Sequence, residues 1–379
     1  MNKLLNRIYK KLRFSSILFK KSVTQNFKTH NEGFSYLSDS DVRLKDLLDK
    51  RNVEKSEAAQ YHRDLSNALY RSFRTSDISY KDICEIVAGK LVYSKSGFTP
   101  DAVQQVLVDN YCKTNGLFQE VLFDFMNREP DQNYIVEGKS IFGNINEDEI
   151  LKAANEVQRS GYSKIPFTLP TEKINELVSW SKNLDYTIID DSLNGKYFKS
   201  KVDFENIQYA KASASEDDLK NNNLVMKICL DPFLVSVIQS VLGSKVDILH
   251  LAMWWSFNIG KPSSEAAQYF HYDLDSLRWL KVFIYLTDVG PNNGPHIAIP
   301  GSHKLGGKNY KLLRKRYNRV TDQEMSTEQS GEVVEFHGKA GTIIIGDTRC
   351  WHKGKEVMEG NRLILQPTFA PSMFLKKLV

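Results

Sequence analysis

Residues 279–286 read WLKVFIYL, and this stretch sets the character of the C-terminal part of the chain. A short run of β-branched and aromatic side chains is typical of a β-strand. Runs of the same kind, separated by turn residues, recur at Ile248–Phe257, Ile297–Ile299, Val333–Phe336, Thr342–Ile345 and Leu363–Phe369. Since many short strands without regular helices between them form a sandwich or a barrel, the pattern predicts a jelly roll and disfavours a parallel, doubly wound sheet.

The chain upstream of these strands has a different texture. From Val42 to Arg128 the apolar residues recur at spacings of three and four, which predicts helices. A Pro-Asp-Gln-Asn run at 130–133 and the Gly-rich stretch through Gly138 and Gly143 are typical of a linker. A helix that Gly161 stops is predicted after it, over 148–159. A strand over 162–167 and a helix that begins at Thr171 are predicted next.

We therefore predict an α+β protein with three parts. Residues 1–35 form a basic N-terminal tail, residues 36–145 form an all-α domain, and residues 146–379 form the jelly-roll domain. The helical domain holds few histidine or acidic side chains at metal-ligand spacing. We interpret it as a docking or oligomerisation domain without chemistry of its own, and its role and the formation of a homo-oligomer are left open.

The composition is that of a water-soluble globular protein, with 41% hydrophobic and 26% charged residues. The four cysteines form no CxxC pair, so a zinc knuckle and a disulfide framework are disfavoured and a reducing compartment is favoured. No apolar run approaches the roughly 18 residues that a membrane-spanning helix needs. We therefore expect a cytoplasmic protein.

The N-terminal tail is strongly basic, because no acidic residue precedes Glu32. Leucine and isoleucine residues are interleaved with its lysines and arginines, a pattern found in helices on anionic membrane surfaces and in transit peptides. A solvated helix or a frayed terminus has the same composition. Peripheral membrane association through this tail is therefore left as an alternative.

A candidate metal site begins at His271 and Asp273. Residues two apart on an extended segment project to the same side, so this imidazole and this carboxylate can meet one metal ion. His352 follows a predicted strand at a position from which it can reach into the mouth of a barrel. Two histidines and one carboxylate on one face suit a non-haem Fe(II) that binds O2 and a chelating co-substrate, whereas a simple hydrogen-bonded His-Asp pair is the alternative. His296 and His303 are weaker candidates for the third ligand, because both lie in a turn-rich loop.

Arg362 supports the interpretation as an Fe(II) site with a chelating co-substrate. It begins a predicted strand ten residues after His352, with Ile364 and Gln366 on its own face and leucines on the other. A buried guanidinium needs an anion, and it can hold the distal carboxylate of 2-oxoglutarate through two parallel hydrogen bonds. An internal salt bridge is the alternative. Lys281 is a second candidate contact, directed either at the co-substrate or at the substrate.

Nucleotide and nucleic-acid chemistry are both disfavoured. No GxGxxG motif follows a strand, and the stretch Gly301–Asn309 lacks the lysine and hydroxyl residue of a phosphate-binding loop. The basic run between Lys308 and Arg319 has no aromatic interleaving typical of a nucleic-acid platform beyond Tyr310 and Tyr317. It is typical of a solvated helix face, and contact with an anionic substrate is the alternative.

Seven motifs together resemble the phytanoyl-CoA dioxygenase-like family of Fe(II)- and 2-oxoglutarate-dependent oxygenases. In chain order they are His271-Tyr-Asp273, Lys281-Val-Phe-Ile-Tyr-Leu-Thr-Asp288-Val, Asn293-Gly-Pro, Pro300-Gly-Ser-His303, Gly346-Asp-Thr, His352-Lys-Gly and Arg362-Leu-Ile-Leu-Gln366. The resemblance covers roughly residues 148–370 and says nothing about the first 145. It implies a cupin-like double-stranded β-helix, with His271, Asp273 and His352 as iron ligands and Arg362 as the 2-oxoglutarate anchor.

The resemblance also implies a reaction. Iron, 2-oxoglutarate and O2 would serve to hydroxylate an unactivated C–H bond of a small, carrier-linked or lipid-linked metabolite, with release of succinate and CO2. Hydroxylation is expected because the carboxylate of Asp273 stands where halogenating relatives leave room for chloride. Gly354 departs from the pattern of relatives that carry a small hydroxylated residue there, which leaves the other co-substrate contacts open. A zinc or manganese cupin enzyme without oxygen chemistry and a non-catalytic jelly-roll scaffold are the alternatives.

Overall fold

The computed structural model describes residues 55–74, 77–96, 99, 101–127, 135–144, 146–190, 196–260, 267–314 and 319–371. The predicted basic tail over 1–35 lies outside the described residues, and so does the Pro-Asp-Gln-Asn run at 130–133.

Four helices make up the described N-terminal part. They are α1 (Lys55–Tyr70), α2 (Tyr80–Ser96), α3 (Asp101–Thr114) and α4 (Leu117–Met126). Their apolar faces enclose a core of their own, in which Leu65, Val87 and Phe118 are fully buried. This confirms the predicted helices for the described residues between 55 and 127.

The C-terminal part alternates helices with strands at first. Its helices are α5 (Glu147–Ser160), α6 (Thr171–Ser181), α7 (Glu216–Lys220), α8 (Asn223–Cys229), α9 (Pro232–Leu242), α10 (Tyr310–Arg314) and α11 (Asp322–Glu328). A capping box between Asn146 and Glu149 starts α5, and Gly161 ends it in the left-handed conformation with φ 86°. The helix predicted over 148–159 is thus confirmed.

Eleven strands follow or separate these helices within the described residues. They are β1 (Tyr162–Thr168), β2 (Tyr186–Asp190), β3 (Lys196–Ser200), β4 (Lys211–Ala214), β5 (Val246–Phe257), β6 (Leu280–Tyr285), β7 (His296–Ala298), β8 (Val334–Phe336), β9 (Thr342–Gly346), β10 (His352–Gly354) and β11 (Asn361–Pro371). They form an eight-stranded sheet in the order β1-β9-β6-β11-β5-β4-β2-β3 and a three-stranded sheet in the order β10-β7-β8. Every pairing is antiparallel.

The two faces of the large sheet have different partners. Its outer face carries Leu363 and Leu365, which pack with α5 and α9 in the largest buried cluster. On its inner face Ile364 joins a second cluster with Ala298 of the small sheet. The two sheets therefore face each other across an interior, as a jelly roll requires.

The strand prediction and the structure agree for six strands of the two sheets and differ at β2, β3, β4 and β10. Each of the six predicted runs lies within one or two residues of an observed strand. Strands β2, β3 and β4, which lie in the order β3-β2-β4, were missed. Strands β3 and β4 contain no β-branched residue, whereas β2 carries Thr187, Ile188 and Ile189 and has the signal of a strand. Strand β10 was missed because its sequence, His-Lys-Gly, contains no β-branched residue.

The structure has contacts at two places where the sequence predicts a boundary, namely the linker and the division between the helical part and the jelly roll. The described end of the predicted linker, residues 135–144, binds α9, where the Ser140 hydroxyl and the Ile141 amide donate to the carboxylate of Asp231. The helical part and the jelly roll also share an apolar cluster that contains Tyr111 of α3 and Tyr272. The division at residue 146 stays a prediction about domains.

Within the described residues, no single helix is long and apolar enough to span a membrane. Helices α8 and α9 are together long and apolar enough, but their axes are bent by 42° at the break between them. Both helices contribute to the buried cluster on the outer face of the large sheet.

We predict that Leu363→Ala lowers the free energy of unfolding by about 2–5 kcal/mol, because it opens a cavity beneath the central strand β11. Leu363 is fully buried. The matched control is Leu151→Ala on α5, where the leucine is 40% exposed and the loss should stay within about 0.5 kcal/mol. Urea unfolding of both variants measures the difference, and equal losses would contradict the assignment of this core.

Candidate metal centre

The two candidate histidine ligands lie directly opposite each other on paired extended segments. The amide of His271 donates to the carbonyl of His352 at 2.9 Å, and the amide of His352 donates back at 2.8 Å. The amide of Asp273 continues the pairing by donating to the carbonyl of Thr348 at 2.9 Å. The exchange between His271 and His352 is an isolated antiparallel bridge, and together with the bond from Asp273 it fixes the relative position of the two backbone segments that carry the three side chains.

The side chains of His271, Asp273 and His352 converge on one point. One ligand atom from each lies within 4.8 Å of the other two. The Nε2 atoms of His271 and His352 lie 3.9 and 3.4 Å from the carboxylate of Asp273. Among the described residues, this is the one group of three or more histidine, cysteine or acidic side chains with such spacing.

Hydrogen bonds behind the rings favour one tautomer. Nδ1 of His271 lies 2.9 Å from the carbonyl of Tyr269, and Nδ1 of His352 lies 2.9 Å from the carbonyl of Cys350. A ring that donates from Nδ1 to a carbonyl leaves its Nε2 lone pair free for a metal ion. The donor set of two imidazoles and one carboxylate therefore fits Fe(II), and it leaves open coordination positions.

Burial and neighbouring charges put the ligands in their metal-binding forms. Burial, assisted by His352, holds the pKa of His271 well below its usual value, so this ring is neutral. Burial opposes the ionisation of Asp273, but Lys281 and His352 hold its pKa well below its usual value. Metal ions bind neutral imidazole and ionised carboxylate, so both groups match that requirement at neutral pH.

Lys281 projects from β6 onto the same carboxylate. Its ammonium lies 2.6 Å from Asp273 and 2.9 Å from Asp275, and its side chain is 14% exposed. Burial disfavours the charged form, but the two carboxylates outweigh it and raise the pKa of Lys281. Lys281 thus forms part of the charge balance around Asp273, and its predicted contact with 2-oxoglutarate stays a prediction.

Arg362 is a buried cation without a matching anion. It is 4% exposed, and burial lowers its pKa to about 10, which leaves it charged at neutral pH. Its Nη2 donates to the hydroxyl of Ser256 at 3.0 Å, but its buried Nε has no hydrogen-bond partner. Within the described part of the chain it forms no salt bridge, so the internal ion pair considered above is not found there. A bound carboxylate would satisfy the guanidinium.

His296 shows that Arg362 and the candidate ligands face the same interior. The ring of His296 is buried, and its centroid lies 5.5 Å from that of His352. Burial first, then His352 and Arg362, hold the pKa of His296 well below its usual value. Arg362 and the candidate ligand His352 therefore both lie within electrostatic range of the buried His296 ring.

The structure also separates His352 from its two rivals for the third position. Nε2 of His296 lies 3.1 Å from the hydroxyl of Tyr162, a partner that sequence analysis missed because 134 residues separate the two. His303 lies beside Cys350, with 3.4 Å between Nδ1 and the sulfur. His352 alone of the three candidates stands in the group with His271 and Asp273.

An antiparallel jelly roll with two histidines and one carboxylate at its interior has the architecture of a non-haem iron oxygenase. A sequence profile of the phytanoyl-CoA dioxygenase (PhyH) family matches residues 157–360, which is more than half of the chain. The chain therefore belongs to the phytanoyl-CoA dioxygenase family of Fe(II)- and 2-oxoglutarate-dependent oxygenases. The predicted family, its double-stranded β-helix fold and its class of cofactors are thereby confirmed.

Two curated relatives are ectoine dioxygenases. That of Stutzerimonas stutzeri (strain A1501) is 28% identical over 153 residues, which are 35% of this chain and 49% of that protein. That of Bordetella bronchiseptica (strain ATCC BAA-588 / NCTC 13252 / RB50) is 28% identical over 148 residues, which are 33% and 46% of the two chains. The chain thus spans about half the length of these relatives.

Solved structures of similar shape include two metal-bound proteins. EctD from S. alaskensis with bound Fe has a TM-score of 0.45 and 19% identity, over 65% of this chain and 85% of that one. HygX from Streptomyces hygroscopicus with nickel and 2-oxoglutarate bound has a TM-score of 0.44 and 16% identity, over 62% of this chain and 90% of that one.

We predict that Arg362→Met raises the thermal unfolding midpoint of the protein without 2-oxoglutarate, by about 2 °C. Methionine replaces a buried, uncompensated charge with an apolar side chain of similar length. The matched control is Arg159→Met, because Arg159 is exposed on α5 and its loss should leave the midpoint unchanged. A lower midpoint for Arg362→Met in differential scanning fluorimetry would show that the guanidinium already has its anion within the protein.

Proposed function

We propose that this protein hydroxylates an unactivated C–H bond of a small-molecule substrate, consuming 2-oxoglutarate and O2 and releasing succinate and CO2. The observation that carries the proposal is the pairing of two features in one interior. A group suited to Fe(II) and a buried guanidinium that has no anion among the described residues both lie near the buried ring of His296. A metal site alone would serve many chemistries, but the second feature matches a dicarboxylate co-substrate.

Each residue of the site has a role in this proposal. His271, Asp273 and His352 would hold the iron. Arg362 binds the distal carboxylate of 2-oxoglutarate, and the hydroxyl of Ser256 keeps the guanidinium oriented through the bond at 3.0 Å. When bound, iron supplies the redox chemistry that activates O2.

The buried side chains that line the interior of the jelly roll exclude water from the site. Tyr285, Phe283 and Ile364 line it and are each at most 5% exposed. The hydroxyl of Tyr285 donates to the carbonyl of Phe336 at 2.8 Å and accepts from the amide of His296 at 3.0 Å, so this ring joins both sheets. Such a lining protects a reactive intermediate from side reactions with solvent.

The substrate class is supported by the ectoine dioxygenases that the chain resembles, which are named for a small molecule. A small free metabolite is therefore the primary proposal. A carrier-linked or lipid-linked metabolite is the second form, and it shares the same reaction at the same iron.

The test is anaerobic addition of Fe(II) and 2-oxoglutarate to the purified full chain. We expect the weak visible band of charge transfer from iron to the chelating keto acid. His352→Ala should abolish this band, because it removes one of three ligands. Arg362→Ala should weaken 2-oxoglutarate binding by about tenfold or more, since it removes a charge-assisted bidentate contact worth roughly 1.5–3 kcal/mol.

The matched control is His303→Ala, which removes a histidine outside the candidate ligand group and should leave the band intact. Absence of the band in the unaltered protein would reject the proposal. If the protein then bound zinc or manganese tightly, a cupin enzyme without oxygen chemistry would replace it; if it bound no metal, a scaffold role would.

A further inference from the structure

The candidate iron site is carried by two chain segments of the jelly roll. The first, segment A, spans 269–279 and bears His271 and Asp273; the second, segment B, spans 346–352 and bears His352. They are joined by backbone bonds and by the indole of Trp279, whose Nε1 donates to the hydroxyl of Thr348 at 2.9 Å. Any force that shifts one segment against the other moves one histidine away from the other two ligands.

A glutamate of the helical part binds both segments at once. Glu120, on α4, accepts a hydrogen bond from Arg278 of segment A through Oε2. Its other oxygen, Oε1, accepts from Nη1 of Arg349 of segment B at 2.6 Å. Arg349 in turn forms a fork with Asp347, with Nη2 2.7 Å from Oδ2 and Nε 3.0 Å from Oδ1.

This ion network is shielded from water. The side chains of Arg349, Glu120 and Arg278 are 13%, 22% and 23% exposed. Burial opposes the ionisation of Glu120, yet the two guanidinium groups outweigh it and lower its pKa. The ring of Phe123, also on α4, lies 4.0 Å from the guanidinium carbon of Arg278. A buried charge network with several partners has a well-defined geometry, unlike an exposed ion pair.

A second contact holds segment A between its two ligands. Tyr272 projects away from the metal side and enters the helical part, where it stacks on Tyr111 at a centroid distance of 5.7 Å. Its hydroxyl lies 3.3 Å from the sulfur of Cys112. The ammonium of Lys308 lies 5.3 Å from the centre of the Tyr272 ring. The helical part thus contacts the His-Tyr-Asp segment through the side chain of Tyr272.

We propose that Glu120 is a positioning residue of the iron site, and that the helical part completes the oxygenase by fixing segments A and B relative to each other. This inference rests on the proposed function, because it concerns the same ligands. It is an alternative to the interpretation of the helices as a docking or oligomerisation domain, which stays a prediction. The observation that favours it is the partly buried carboxylate of Glu120, which both ligand-bearing segments share.

The test compares two variants of the full chain with Co(II) as the probe. Glu120→Gln keeps the size of the side chain but removes the carboxylate that Arg278 and Arg349 share, while Arg349 keeps Asp347 and Arg278 keeps Asp124. The matched control is Asp124→Asn, one turn further along α4, whose side chain is 73% exposed and pairs with Arg278 alone at 3.5 Å. Titration followed by the visible Co(II) spectrum and by calorimetry gives the affinity and reports the geometry of the bound ion.

We expect Glu120→Gln to weaken Co(II) binding about tenfold and to alter the visible spectrum, as loss of supporting hydrogen bonds does at other metal sites. Asp124→Asn should bind like the unaltered protein. A role in stability alone would lower the thermal midpoint of Glu120→Gln but leave affinity and spectrum unchanged at temperatures where it is folded. That result would overturn the inference.

Two further outcomes keep the inference separable from folding and from the proposed function. If Glu120→Gln does not fold, Arg278→Gln is the second variant, because it removes one arm and retains the contact between Glu120 and Arg349. Co(II) binding by Arg278→Gln with unaltered affinity and spectrum would then overturn the inference. If the unaltered protein binds no Co(II), the proposed function itself fails; unaltered binding in Glu120→Gln alone leaves that function intact.

Discussion

The pair of backbone hydrogen bonds between His271 and His352 is the constraint on which the site depends. It aligns two segments that lie far apart in the chain and sets their rings 4.2 Å apart, centroid to centroid. Asp273 follows on the same side, because alternate residues of an extended segment share a face. The ligand geometry is therefore a product of strand pairing, and everything that holds these two segments in register supports the metal site.

The two faces of the large sheet have different roles, because one packs against helices and the other lines the interior that holds the candidate site. The outer face of the large sheet is apolar and covered by helices, while the inner face carries Arg362 among aromatic and aliphatic neighbours. Keeping an unpaired guanidinium there costs stability, because a buried charge loses its hydration. A fold accepts such a cost where a ligand restores the balance, and strain of this kind concentrates at functional sites.

The helical part contacts the jelly roll through ion pairs between Glu120 and two arginines, Arg278 and Arg349. Glu120 and Tyr111 reach the segments around the candidate ligands from the helical part of the chain. The site is then held from two directions, by strand pairing within the jelly roll and by a buried charge network behind it. Such support from outside the ligand shell is what keeps ligands in a productive arrangement.

The sequence by itself determined the strand pattern, the class of fold and the candidate ligands. Alternation placed Arg362 and Ile364 on one face and Leu363 on the other, and the structure agrees, because side-chain direction along a strand is a local property. Only the tertiary structure decided that Lys281 pairs with Asp273, and that Glu120 joins two arginines at positions 278 and 349. These contacts span up to 229 residues of chain. No local pattern encodes them, since they depend on how separately formed elements pack against one another.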